Sequence, residues 1–337
     1  MMDDTGIWRT RLISLAIVTA IFLLPVLALL WLTAVPGTSH AGPLPPLTPA
    51  EAQLAARLRG HVTAIASVPH NVEHPVELKR AARHIEGALA GMGYAVRRQN
   101  FSAGGERVRN IEVAIDPATP DAPTLVVGAH YDSAFDAPGA NDNGSGTAAV
   151  IELARSLADL RGKAALRIRL VLFVNEEPPR FKTPLMGSVV YAAQLKRSGE
   201  PVFGMISLET LGYYSDRPGS QHYPWPLGML YPQTGNFVAF VGTTDARGFV
   251  RRTVRSFREV ARFPSVGGTA PGFVQGVDWS DHWAFSAEGF PALMVTDTAP
   301  FRYPYYHDVG DTPDKVDYDR LARVVTALDL TIRKMGR

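Results

Sequence analysis

Residues 124–146 read TLVVGAHYDSAFDAPGANDNGSG, and the fold turns on them. Thr124 to Ala129 form a short run with no charge, the pattern of a strand buried on both faces. His130, Tyr131 and Asp132 follow at once, so polar chemistry begins where the apolar run stops. Asp142 sits among Asn141, Asn143, Gly144 and Gly146, where the backbone turns sharply. Helical spacing then takes over in 144–160, with Val150, Leu153, Ala154 and Leu157 on one side.

The same alternation runs outward from this stretch. Upstream, Thr48-Pro49-Ala50-Glu51 marks a helix start, with a capping Thr, Pro at the first helical position and Glu three residues after the cap. Leu54, Leu58, Val62 and Ile65 continue it as an apolar stripe. A second helix is expected over 75–92, closed by Gly93, and strands over 95–101 and 108–115. Downstream, strands are expected over 166–174, 203–208, 236–242 and 292–296, with helices over 185–197, 245–261 and 320–334. Together these predict an α/β fold: a three-layer domain with a mixed, largely parallel central sheet and helices on both faces. Residues 213–235 and 262–278 are rich in Pro, Gly and aromatics and read as long loops, which in a compact domain are often functional.

The N-terminus follows different rules. From Leu12 to Thr33 there is no charged residue, and roughly 20 apolar residues suffice to cross a bilayer as a helix. Trp8 and Trp31 stand near its ends, as interfacial aromatics do. Arg9 and Arg11 precede the run and no Lys or Arg follows before Arg57, so the positive-inside rule places the N-terminus in the cytoplasm. The expected organisation is a cytoplasmic segment 1–11, a transmembrane signal anchor 12–34, a Pro/Gly-rich linker 35–50 and a main folded domain 51–337 outside the cytoplasm. Ser39-His40-Ala41 also fits a signal-peptide cleavage site, in which case the domain is secreted. The absence of cysteine excludes disulfides, thiolate ligands and a cysteine nucleophile. A net charge of +2 with no dense Lys/Arg stripe gives no footprint for nucleic acid.

In open α/β sheets, ligands bind beyond the C-terminal ends of the strands. Those ends carry His130 and Asp132, then Glu176 and Glu177 after the 166–174 strand, then Glu209 after 203–208. Asp142 precedes the 144–160 helix, and His307 lies beyond the 292–296 strand. Each residue alone has an ordinary reading as a turn or surface group; their recurrence on one rim does not. His and carboxylate donors without thiolate suit zinc or a related divalent ion. His130 and Asp132 face the same way at i and i+2, which lets Asp132 accept a hydrogen bond from the imidazole nitrogen that does not bind metal. A carboxylate at Asp142 has the means to bridge two metals. Adjacent acids at Glu176 and Glu177 repel unless a cation or proton separates them, so one suits a metal and the other a proton in transit.

The segments GAHYDS (128–133), GANDNGSG (139–146), VNEEPP (174–179), SLETLGYY (207–214), SDHWAF (280–285) and YYHDVGDTPD (305–314) resemble, in order, the co-catalytic zinc aminopeptidases. Glutaminyl cyclases and transferrin-receptor-like ectodomains are relatives of that family. The resemblance covers roughly residues 80–330. It implies that His130, Asp142 and Glu209 hold one zinc, and that Asp142, Glu177 and His307 hold the other. It makes Asp132 the group that orients His130, and Glu176 the general base. The implied reaction is hydrolysis of an N-terminal peptide bond by a hydroxide shared between metals about 3.5–4 Å apart. Many members carry Asp where this chain has Glu209, which leaves a single-zinc site open. Asp281 and His282 look like groups that support the ligands and read equally as plain loop residues; Tyr305 or Tyr306 is expected near the oxyanion. Tyr213, Tyr214, Trp225 and Phe273 are candidates for the side-chain pocket. The leading expectation is a membrane-anchored zinc metallopeptidase acting on peptides or aminoacyl amides. A one-zinc cyclase-like enzyme and a non-catalytic binding module on the same fold are the alternatives.

Overall fold

The computed structural model describes residues 4–336; residues 1–3 of the expected cytoplasmic segment, and Arg337, lie outside the described residues. In chain order the regular elements are α1 (Asp4–Thr33), α2 (Pro49–Ile65), α3 (Pro75–Gly91), β1 (Arg97–Ala103), β2 (Glu106–Ile115), β3 (Thr124–His130) and α4 (Gly146–Ser156). They continue as β4 (Arg167–Phe173), α5 (Gly187–Ser198), β5 (Val202–Glu209), β6 (Val238–Thr243), α6 (Arg247–Val260), β7 (Ser265–Ala270), α7 (His282–Ala287), β8 (Ala292–Thr296) and α8 (Tyr318–Met335). Thr48 caps α2 as its sequence suggests, with Glu51 reaching back to the Thr48 N–H at 2.8 Å.

The strands form one sheet in the order β1-β2-β4-β3-β5-β8-β6-β7. β4, β3, β5 and β8 run parallel in its centre. The β1–β2 hairpin joins antiparallel at one edge, and the parallel pair β6–β7 joins antiparallel to β8 at the other. The alternation of strand side chains decides the layers. Leu125, Val127 and Ala129 of β3, with Ile168, Leu170 and Leu172 of β4, pack into a core shared with α2, α3, α4, α6 and α8. Val126, Val171, Phe173 and Met205 point the other way, onto α5 and α7. Both faces are therefore covered, and strand ends rather than strand faces are left for chemistry.

Two elements differ from the sequence expectation. Within 262–278, expected as loop, Ser265–Ala270 form β7. Its sequence SVGGTA lacks an apolar run because its neighbours press on it: a Cβ at Gly267 would lie 2.8 Å from Val254 Cγ2. The short helix α7 is the second; six residues are too few for helical periodicity to register. α1 contains a stretch, Trp8–Thr33, long and apolar enough to cross a membrane, and none of it is buried in the domain. Residues 35–48 have no regular structure but are tied down: Arg258 donates to the carbonyls of Pro36 and Gly37 at 3.1 and 2.8 Å, and Ser265 N–H to Ser39 Oγ at 2.8 Å.

One buried histidine gives the fold a pH signature. His70, in the segment that joins α2 to α3, is fully buried, and its Nδ1 lies 3.0 Å from the Val68 carbonyl. Burial pushes its pKa down to about 4. The folded state thus binds fewer protons than the unfolded chain, where histidine titrates near about 6.5. Its contribution is complete above that pH and is lost as pH falls toward about 4, up to about 3 kcal/mol. Denaturant unfolding of wild type and His70→Gln should therefore diverge across this window, the wild type losing more; parallel curves would contradict the assignment.

Candidate active site

Three strands hand their C-terminal ends to one rim, and each is followed by a residue in the left-handed region: Asn175 after β4 (φ 64°), Thr210 after β5 (φ 50°) and Thr298 after β8 (φ 63°). Such turns redirect the chain within one residue and are found where surrounding structure holds them in place. Beside them Glu176, Glu177 and Glu209 stand at the sheet's end, together with His130, the last residue of β3. Asp142 arrives from the turn before α4, whose first residue is Gly146; a Cβ there would strike the Leu208 carbonyl and the Asn143 side chain. His307 comes from the loop after β8, itself with φ 57°.

The geometry is compact. His130 Nε2 lies 3.4 Å from Asp142 Oδ1 and 3.3 Å from Glu209 Oε2. His307 Nε2 lies 3.2 Å from Asp142 Oδ2 and 3.1 Å from Glu177 Oε2. Asp142 thus presents one oxygen to each group. Glu176 Oε2 stands further off, 3.8 Å from His130 Nε2. In each of the triads His130/Asp142/Glu209 and Asp142/Glu177/His307, the ligand atoms lie within 4.8 Å of one another; His130/Glu176/Glu177 meets the same limit.

Burial makes the cluster electrostatically costly. Glu177 and Glu209 are each pushed up to about 7, first by burial. Glu176 is driven well above the ordinary carboxylate range by burial, with Glu209, Glu177 and Asp281 adding to it and His130 opposing. Burial disfavours the charge on Asp142 too, but His130 and His307 hold its pKa below the usual range. His307 overcomes its own burial through Asp142 and Glu177 and is raised to about 10. Four buried acids facing two imidazoles call for added positive charge.

A divalent ion fits this demand. Tetrahedral zinc holds nitrogen and oxygen donors at about 2.0–2.1 Å, which sets donors roughly 3.3 Å apart. The donor separations here are 3.1 to 3.4 Å. Both carboxylate oxygens of Asp142 and Oε1 of Glu177 are buried and receive no hydrogen bond.

The supporting contacts correct the expectation for Asp132. Asp132 does not meet His130 through its carboxylate, which is 3.8 Å from Nδ1; the main-chain carbonyl of Asp132 is the partner, at 3.0 Å. The Asp132 carboxylate instead accepts the N–H groups of Glu176 and Glu177 at 3.1 and 3.2 Å, setting the turn that carries both acids. Asp281 and His282 touch none of the rim acids by hydrogen bond; His282 Nε2 pairs with the Val277 carbonyl. Their neighbour Ser280, which the sequence does not single out, donates to Glu209 Oε2 at 2.8 Å and is 2.8 Å from Ser207 Oγ. Asp311 is equally unmarked, and it receives the N–H groups of Asn141 and Asp142 at 2.8 and 3.0 Å. Asn143 also reaches Glu209, and its Oδ1 accepts the N–H of Gly146. The only sequence signal for Asp311 and Ser280 is their place inside the quoted motifs.

Residues 110–331 match the model of peptidase family M28. The chain is a member of peptidase family M28. Over 327 residues it is 37% identical to the uncharacterized protein YfbL of Escherichia coli (strain K12), covering 94% of this chain and 96% of that one. It is 29% identical over 215 residues to leucine aminopeptidase 1 of Arthroderma otae, covering 59% of this chain and 51% of the relative. The chain therefore spans about half the length of that aminopeptidase. The M28 fold is shared with solved zinc aminopeptidases and glutaminyl cyclases. BSAP, a zinc aminopeptidase from Bacillus subtilis, superposes with a TM-score of 0.62 at 14% identity, over 84% of this chain and 95% of that one.

Beside the rim, this M28 peptidase has an apolar pocket with about 900 Å³ of empty space, its open mouth included. Glu209 and Tyr306 stand at its catalytic side, and Tyr223, Phe237, Val277, Trp279, Met294 and Phe301 are among its walls. None of the four expected pocket aromatics lines it. Tyr214 is buried against Phe263, Tyr213 packs on Tyr303, and Trp225 and Phe273 are 88% and 89% exposed. Tyr306 stacks on His307 with centroids 3.9 Å apart, whereas Tyr305 packs against Tyr303.

Proposed function

We propose that this M28 peptidase is a membrane-anchored, zinc-dependent aminopeptidase that hydrolyses N-terminal peptide bonds of peptides or aminoacyl amides outside the cytoplasm. The observation that carries the reading is Asp142, which offers one unpaired oxygen to each of two histidine–acid groups. His130, Asp142 and Glu209 would hold one zinc, and Asp142, Glu177 and His307 a second. Bound there, zinc polarises the scissile carbonyl and lowers the pKa of a water. Glu176 is the general base: its raised proton affinity suits it to take a proton from the attacking water and deliver it to the leaving amine. Burial raises the Tyr306 pKa, so its phenol keeps the proton and donates a hydrogen bond to the developing oxyanion. Asp132 keeps Glu176 and Glu177 in register through their N–H groups. The apolar pocket receives the side chain of the N-terminal residue. Support for the anchor is the apolar helix α1 and the absence of Lys and Arg from its C-terminal flank up to Arg57.

The test is metal content of the full chain by mass spectrometry, paired with hydrolysis of an aminoacyl amide panel. About two zinc ions per chain with hydrolysis are expected. One zinc, with ring closure of N-terminal Gln peptides and no hydrolysis, would replace the reading with cyclase chemistry. A chain that binds no metal would overturn it.

Ser280→Ala provides a finer check. Removing the hydroxyl leaves Glu209 Oε2 only the longer hydrogen bond from Asn143 at 3.4 Å, and its extra methylene over Asp makes it dependent on a partner to stay in place. Zinc affinity in a calorimetric titration should fall about tenfold with the fold intact, the usual cost of losing a supporting hydrogen bond. Unchanged affinity would show that Glu209 needs no such support.

A further inference from the structure

The pocket beside Glu209 is not walled by the catalytic domain alone. Thr33, the last residue of α1, also lines it, next to Gly268 of β7, which lies three strands along the sheet from Glu209 on β5. The end of α1 is held there by bonds that a simple tether does not need. A helix leaves its last four carbonyls without intrahelical partners. Here Arg247 Nε donates to the Trp31 carbonyl at 3.0 Å and stacks over the Trp31 ring at 3.9 Å. Thr269 Oγ1 donates to the Leu32 carbonyl at 3.1 Å, and Arg251 donates to that of Ala34. These arginines also place positive charge at the negative end of the helix dipole. Gly268 lets the two backbones approach: a Cβ there would lie 3.3 Å from Thr33 Cα.

We propose that the last turn of α1 is the end wall of the side-chain pocket, so that the anchor helix itself sets the size of the N-terminal side chain accepted. The proposal rests on the aminopeptidase reading for its substrate and adds a specificity-determining residue, Thr33, that lies outside the catalytic domain. It has a regulatory corollary. Cleavage at Ser39-His40-Ala41 separates Thr33 from the domain covalently, and loss of the helix leaves the pocket open-ended and less selective.

The experiment uses the full chain in detergent micelles and has two readouts. In the first, Thr33→Trp fills the end of the pocket, and the ratio of kcat/KM for phenylalanyl amide over alanyl amide should fall about tenfold, the scale of steric discrimination in an apolar pocket. A role in folding alone would lower both rates and leave the ratio unchanged. In the second, Thr33→Cys introduces the sole thiol of a chain that has no cysteine, and its maleimide labelling is timed with and without amino acid. L-Phenylalanine should slow labelling and L-alanine should do so less. Amide hydrolysis by wild type, with both Thr33 readouts flat, would overturn the proposal and leave the aminopeptidase reading standing. Selective protection of the introduced thiol in a chain that hydrolyses no amide would do the reverse. The labelling readout needs no folded Thr33→Trp variant.

Discussion

Glu176→Gln is expected to lower kcat by about 10³–10⁴ with little change in bound zinc, the range attributed to a positioned general base. The substitution keeps shape and hydrogen-bonding length but removes the site that carries the proton. Glu176 is suited to that task by position: its Oε2 stands 3.8 Å from His130 Nε2, while Glu209 and Asp142 stand at 3.3 and 3.4 Å. Its main chain is fixed by the Asp132 carboxylate, so the loss would be chemical rather than structural. Steady-state kinetics with metal analysis on the same sample check this. If zinc leaves with the activity, Glu176 is a ligand, as its grouping with His130 and Glu177 also permits.

Asp142→Asn is expected to be as damaging by a different route. One side chain serves both triads, so its loss weakens two metal positions at once. Zinc content should drop below one per chain after dialysis, affinity should fall at least about 100-fold, and hydrolysis should vanish with it. The amide retains the volume and leaves the main chain clasped by Asp311, so the domain should remain folded. His307→Ala offers the contrast, since it alters one triad only and should spare zinc binding at the triad that contains His130. Equal loss of both metals in the two variants would indicate that the triads do not bind independently.

Much of the site is readable in the sequence because the pattern is local. A charge-free run such as 124–129 has to be buried, and a His or acid placed directly after it has to emerge at the strand's end. The same reading of β4 and β5 puts Glu176, Glu177 and Glu209 on one rim, where the structure places them. Local pattern fails where a residue's surroundings come from elsewhere. The expected pocket aromatics share a place in long loops, yet loop membership says nothing about which wall a side chain joins. Trp225 and Phe273 point to solvent, while the pocket is lined chiefly from β6, β7, β8 and the loops around them. β7 escapes the pattern for the same reason: its glycines answer to Val254 and Tyr231, both outside its own segment.

By itself the sequence determined the α/β layering, the apolar helix at the N-terminus and the order in which candidate ligands leave the sheet. Each depends on the pattern within single segments, where burial and backbone geometry leave few choices. Tertiary structure alone decided how those groups are held and what surrounds them. Asp311 grips Asp142 across 169 positions, Ser280 grips Glu209 across 71, and Arg247 grips the end of α1 across 216. Asp132 turned its carbonyl, not its carboxylate, to His130 because the N–H groups of Glu176 and Glu177 had a stronger claim on the charge. No spacing rule records such competition: it is settled only when distant segments pack, and each buried polar group takes the partner that costs least to desolvate.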